Sequence, residues 1–273
     1  FNRGVKLIRP RQVNARPNLS MLDPLGRPAL SGRIDPTRLA DFVFESVGNS
    51  IYHGVALSMN KRFSRHFQVI GSYTFSKAIG DADDVNFSLG PQDPTNAAAD
   101  RALSSFDVRH RVSVAAIFES PYSGGSGNPL YQRALADFYL SPIVTARSGF
   151  PFNIVTGFDV NADSNNNDRP FSVGRNTGLG PMFFSTDLRV GRRFRFGADS
   201  PVGIELIFDA FNLFNRTNFK DVNGVTGGAL FLNQFGLTDV RIVGVPKNSA
   251  SQFCGFTSAF APRIIQLGAK FNF

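Results

Sequence analysis

Tryptophan is missing from this chain, and cysteine occurs once, at Cys254. A single thiol excludes an intrachain disulfide and any metal site built from cysteines. Histidine is almost as scarce: His53, His66 and His110 stand far apart, without the spacing of a ligand set. No apolar run approaches the roughly 18 to 20 consecutive residues of a membrane-crossing helix. With a mean hydropathy of −0.09, the chain passes for water-soluble on a hydropathy scan. Such a scan is blind to barrels, whose strands alternate lipid-facing and lumen-facing residues. Acidic side chains number 21 against 29 Lys and Arg, a formal charge of +8. The basic residues are spread along the chain rather than gathered in runs, so nucleic acid is not an expected partner. No phosphate-cradling glycine loop, nucleophile elbow or zinc helix is present, and no enzymatic role is expected. Residue 1 is Phe and no charged-then-apolar leader opens the chain, which leads us to expect a mature form or a fragment.

What the chain does have is Phe, 29 of them, set in alternating segments. The last residues, Gln266-Leu267-Gly268-Ala269-Lys270-Phe271-Asn272-Phe273, show the pattern most clearly. In a strand, side chains two apart share a face. Ile265, Leu267, Ala269, Phe271 and Phe273 therefore make one apolar stripe, and Gln266, Gly268, Lys270 and Asn272 the other. The same alternation runs through residues 51–59, 67–75, 110–118, 138–146, 184–196 and 202–210. Opposite the apolar parity lie Arg109, Arg111, Glu119, Arg147, Asp187, Arg189, Arg193, Arg195, Glu205, Asp209 and Lys270. Arg192 alone breaks the partition, close to a turn where it can snorkel to the interface. These segments reach the ~9 to 11 residues that a tilted membrane strand needs. Short connections (64–66, 120–133, 197–200) alternate with long ones (9–48, 78–106, 155–182, 215–261), as periplasmic turns and extracellular loops do in outer-membrane barrels. Phe63, Phe67, Phe194, Phe196, Phe271 and Phe273 gather at the short-turn end, and Tyr73, Phe75, Phe150, Phe152 and Phe184 at the long-loop end, as two interfacial belts.

The turns suggest registers. Around Ser64–His66, residues whose numbers sum to 130 face each other: Phe63 with Phe67, Leu57 with Tyr73, Ser58 with Ser72. Around Asp199, a sum of 398 sets Arg193 against Glu205 and Arg189 against Asp209 on the lumen side. Registers shifted by two satisfy the faces equally well. In one loop Asp159, Asn161, Asp163, Asn165 and Asp168 place oxygens at calcium-like spacing. Ser164 and Pro170 depart from the usual calcium-loop pattern, and a loop of Asx turns accounts for the same residues. Asp81, Asp83 and Asp84 read as a solvated loop. Arg27, Arg33, Arg38, Lys220 and Lys247 are candidate partners for lipopolysaccharide phosphates.

Ser72-Tyr73-Thr74-Phe75-Ser76-Lys77, Phe106-Asp107-Val108-Arg109-His110-Arg111, Ser148-Gly149-Phe150-Pro151-Phe152, Asp168-Arg169-Pro170 and Asp209-Ala210-Phe211-Asn212-Leu213-Phe214-Asn215 recur in this order in one family. The chain resembles the C-terminal part of an Oar-like TonB-dependent receptor, with its terminal Gln266, Gly268, Phe271 and Phe273 similar to the signal read by the barrel-assembly machinery. The resemblance implies an all-β, antiparallel transmembrane β-barrel segment in the outer membrane. About seven full strands, plus the top of an eighth at Gly4–Ile8, would belong to a 22-stranded barrel. It also implies uptake of an unidentified nutrient, driven by TonB through a plug that this chain does not contain, with the lumen charges against that plug or along the path. The alternative is a self-contained eight-stranded barrel, an adhesin or porin-like protein.

Overall fold

The computed structural model describes residues 1–17, 31–38, 41–81, 91–93, 96–122, 129–157, 168–170, 173–196, 202–226 and 254–273. Eight strands form one antiparallel meander in which each pairs with the next. They are β1 (Asn2–Gln12), β2 (Phe42–Ser64), β3 (Phe67–Gly80), β4 (His110–Glu119), β5 (Phe138–Arg147), β6 (Phe183–Arg195), β7 (Gly203–Phe211) and β8 (Ile264–Asn272). A short piece, Ala102–Leu103, adds to the outer end of β3. The alternation that marks these segments is what makes them strands: one face can meet hydrocarbon while the ladder satisfies the backbone groups between paired strands, a necessity in lipid. β1 and β8 are not paired with each other, so the sheet is not closed.

Both faces of this single-layer sheet are open, the charged parity at Ile70, Ile117 and Ile143 as well as the apolar one. Val55, Leu57, Met59, Leu206, Ile265, Leu267 and Phe271, all on the apolar parity, are exposed. Among the described residues the buried apolar set is small: Val108, Ala136, Ile154, Val173, Ala210 and Cys254, with Pro10 and Pro170. A water-soluble sheet protein would bury its aliphatic stripe in a core of its own. Here the stripe faces outward.

The first strands differ from expectation. β1 runs over Asn2–Gln12 rather than Gly4–Ile8, and β2 begins at Phe42, so the connection between them contracts to 13–41. β1 pairs only with Phe42–Tyr52, while β3 reaches up to Ser50. The β1–β2 ribbon therefore stands beyond the rim where β3 ends, and a 23-residue β2 is far longer than a bilayer requires. Other long connections also begin as ribbons. Ala15–Pro17 pairs with Ser31–Arg33, Pro151–Phe152 with Gly178–Leu179, and Phe219–Val222 with Phe256–Ala259.

The hairpin between β2 and β3 shows why one pairing fails. Leu57 faces Tyr73 and Ser58 faces Ser72, but Ser64, not Phe63, faces Phe67. Arg65 and His66 both adopt positive φ, 51° and 66°. That is the two-residue turn whose twist matches the strands. Such a turn closes on Ser64–Phe67 and, left uncorrected, would flip every side chain of one strand to the wrong face. A bulge between Lys61 and Ser64 restores the register. Lys61 Nζ pins it, donating to Ser64 O (3.2 Å), Ser64 Oγ (2.9 Å) and Phe67 O (3.1 Å).

The connection between β4 and β5, read as a short segment over 120–133, runs to 137 and holds a short helix α1 (Leu130–Leu135). The carbonyl of Arg133 accepts a 2.8 Å bond from Arg192 Nη2. Arg192 also lies 4.9 Å from the Phe138 ring and 4.7 Å from that of Phe194. Arg192 is thus held at the short-turn rim; the observed strands also carry Lys61 and Lys77 on the apolar parity, each near a strand end. At the other rim, Phe152 belongs to a loop ribbon rather than to the aromatic belt.

Candidate functional site

The charged parity forms the inner face. Arg189 lies opposite Asp209 and Arg193 opposite Glu205 in the β6–β7 register. The β7–β8 register adds Gln266 beside Asp209 and Lys270 beside Glu205. Arg189 grips Asp209 with two parallel bonds, Nε–Oδ1 at 2.7 Å and Nη2–Oδ2 at 2.9 Å. Arg193 is shared more loosely, 3.8 Å from Glu205 and 3.7 Å from Glu119. Arg189, Asp209, Arg193, Glu205 and Glu119 line a groove of about 580 Å³ that also takes in Tyr139, Ser141, Ile143 and Asp187. Its wall is mixed, apolar between the charges.

Between the two charged rows lies a third, with Tyr139, Gly191, Ile207 and Gly268 side by side on β5 to β8. The ring of Tyr139 lies over Gly191 so closely that a Cβ there would sit 2.2 Å from it. Glycine at 191 is what lets the ring lie flat across the strand, where it also carries Arg193 at 5.1 Å from its centroid. Gly268 is different. A Cβ there would meet only Ile207, at an ordinary 3.7 Å.

Above the wall, the long connections meet around a buried carboxylate. Asp100 ends the 3-10 turn Ala97–Asp100 and is 3% exposed. Arg9 of β1 donates to Asp100 Oδ2 at 2.6 Å and to the Ala97 carbonyl at 2.7 Å. Arg169 binds the other carboxylate oxygen. Arg175 donates to the backbone carbonyl of Asp100 at 2.8 Å and to that of Gly80. Gln92 and Arg169 exchange backbone-to-amide bonds of 3.2 and 3.3 Å. Burial alone would push the Asp100 carboxyl up, but the Arg169 and Arg9 guanidinium groups, with Arg175 behind them, outweigh it and hold it below the usual carboxylate range. One carboxylate therefore joins β1, the 81–109 connection and the 148–182 connection.

Several expected residues have other settings. Asp81 is buried rather than solvated: it accepts the Asn49 N–H at 3.0 Å and pairs with Arg101 at 3.2 Å. Asp159, Asn161, Asp163 and Asn165 lie outside the described residues, as do Asp83, Asp84, Arg27 and Lys247. Asp168, the last member of the calcium-spaced set, is 1% exposed, and its carbonyl accepts bonds from Thr156 N (2.7 Å) and Oγ1 (3.1 Å). Arg38 pairs with Asp41 at 2.8 Å, and Lys220 with Asp221 at 3.8 Å. Gln266, Gly268 and Phe271 lie along β8 at the sheet edge, and Phe273 follows it fully exposed. The sequence reading missed Asp100, Arg9 and Arg175, which lie far apart in the chain with no shared spacing. Arg169 was visible only as part of a motif without a role.

An antiparallel meander of membrane-length strands, apolar outside and charged within, with short turns at one rim and long loops at the other, defines the wall of a transmembrane β-barrel. The family described as outer membrane beta barrel domain matches residues 2–174 and 171–266. The chain belongs to that family, and its place is the outer membrane. No curated protein and no solved structure matches it.

Proposed function

We propose that this wall serves a TonB-dependent receptor that takes up a scarce nutrient, as the resemblance to Oar-like receptors implies. The observation that carries the reading is the inner face: a groove among ion pairs, on a sheet whose β1 and β8 edges remain unpaired. Unpaired edges are untenable in lipid, and on the receptor reading further strands pair with them to close a barrel around that face. A barrel of about 22 strands encloses a lumen wide enough to hold a plug. The charged rows are then contacts for the plug or for the passing ligand, and the loop cap covers the outer mouth.

The test is energy dependence. In cells that make the protein from its own locus, growth on a limiting nutrient is expected to fall when the gene is deleted, and equally when TonB is deleted. Liposomes carrying the folded protein are expected to exclude small sugars in a swelling assay. Free swelling, with growth indifferent to TonB, would replace the receptor by a passive porin-like barrel.

A further inference from the structure

Among the described residues, not every inner-face arginine has an acid. Arg189 meets Asp209, Arg193 meets Glu119 and Glu205, and Arg195 lies 4.0 Å from Asp137. Nearer the outer rim, the β4–β5 register sets Arg111 directly opposite Arg147. Like charges facing each other across a strand pair are destabilising. Among the described residues, neither guanidinium makes an ion pair or hydrogen bond. Among the described residues, the one carboxylate lining the same recess as Arg111, Asp107, is committed elsewhere: it accepts the Ala78 N–H at 2.6 Å and pairs with Arg109 at 3.1 Å.

The surroundings suit an incoming anion. Thr74 lies beside Arg111 across the β3–β4 ladder, and Ser113 faces Thr145 one inward-facing pair further down. Arg147 is stacked 4.3 Å from the Phe150 ring and 5.4 Å from that of Phe183. An aromatic face against the flat of a guanidinium leaves its rim of N–H donors available, in the fork geometry that matches carboxylate and phosphate. The recess on the Arg111 side of the pair, which Thr74, Ser76 and Asp107 line and Arg147 does not, measures about 170 Å³, the scale of an anionic group rather than a whole ligand. The larger groove lies further down the same face.

We propose that Arg111 and Arg147 form an anion subsite on the inner wall, which binds a carboxylate or phosphate group of the imported ligand. As a ligand subsite, this rests on the receptor reading above. The test is calorimetric titration of the purified full-length protein in detergent with inorganic phosphate and, separately, citrate. One saturable site is expected, and the stronger of the two anions identifies the group. Arg111→Gln and Arg147→Gln are each expected to weaken binding about tenfold, the loss of one charge-assisted bond. The corresponding Lys variants should retain part of the affinity. Arg192→Gln, on the opposite face, should match the parent, and circular dichroism should show all variants folded. No saturable binding of either anion, or binding unchanged in the folded Arg111→Gln/Arg147→Gln double variant, would overturn the subsite. The titration needs neither TonB nor energy, so it fails independently of the uptake test. Uptake that ignores TonB would remove the receptor and leave the anion site standing.

Discussion

The inner wall and the loop cap use the same two side-chain types in opposite ways. On the wall, Arg189 holds Asp209 with ideal fork geometry, yet its side chain is 51% exposed. In the cap, Arg9 and Asp100 are each 3% exposed. Water screens the first pair, and an exposed pair typically contributes only about 0 to 1 kcal/mol. The second pair has given up its hydration, so removing one partner strands the other, at a cost of about 3 to 5 kcal/mol. Similar distances therefore describe a replaceable contact in one place and a structural fastening in the other. The wall owes its stability to the ladder and to lipid, the cap to one carboxylate.

The sharpest way to break this contrast is Asp100→Ala. It leaves Arg9 and Arg169 buried without their acid, and the cap segments 96–104, 168–170 and 173–176 should lose hydrogen-exchange protection by about 3 to 5 kcal/mol, while β4–β7 stay protected. Equal loss in both regions would show that cap and wall unfold together. Acid should distinguish the regions too. The Asp100 carboxyl lies below its ordinary range in the folded cap, so the unfolded state takes up protons first as pH falls. Its contribution is complete above about 3.9, the ordinary aspartate value, and fades only as pH drops through the lowered folded value. Proteolysis of the cap should therefore be flat across mildly acid pH and rise only in stronger acid.

Next in size is Gly191→Ala. The added Cβ collides with the Tyr139 ring, and overpacking of this kind costs about 1 to 3 kcal/mol. A lowered unfolding midpoint in urea with an intact cap would place the damage on the wall. Asp209→Asn should shift the same midpoint by less than about 1 kcal/mol; a larger shift would mean that the pair is shielded from water by some other part of the assembled protein. Gly268→Ala should leave the midpoint unchanged, since nothing crowds that position. A fall in outer-membrane yield with unchanged stability in refolded protein would then report recognition by the assembly machinery rather than packing.

Much of the wall was legible beforehand because alternation has a period of two and the lipid enforces it residue by residue. The pairings Arg189–Asp209 and Arg193–Glu205 follow from parity plus a turn centred near Asp199. Phe63–Phe67 does not, because a two-residue turn shifts the register by one and a bulge at Lys61–Ser64 is needed to shift it back. Alternation reveals neither the turn nor the bulge. The long β2 was foreshortened since Phe42, Val43 and Phe44 are apolar in succession, which conceals the alternation beyond the rim. The cap was invisible for another reason. Arg9 and Asp100 are 91 positions apart, and an isolated Asp in a polar loop carries no sign of the arginines that will surround it. Asp81 misled in the same way, as loop acids are usually solvated.

The ribbons that begin the long connections have a bearing on how this surface can vary. Each brings the two ends of an insertion to neighbouring positions before it departs, as Ala15 does with Arg33 and Phe219 with Ala259. Once those ends are fixed, each doubling of the intervening length costs only about 0.6 kcal/mol of closure entropy. Lineages facing phage or immune pressure could exchange whole external segments at these collars, as could an engineer grafting an epitope, while the strands beneath keep their alignment.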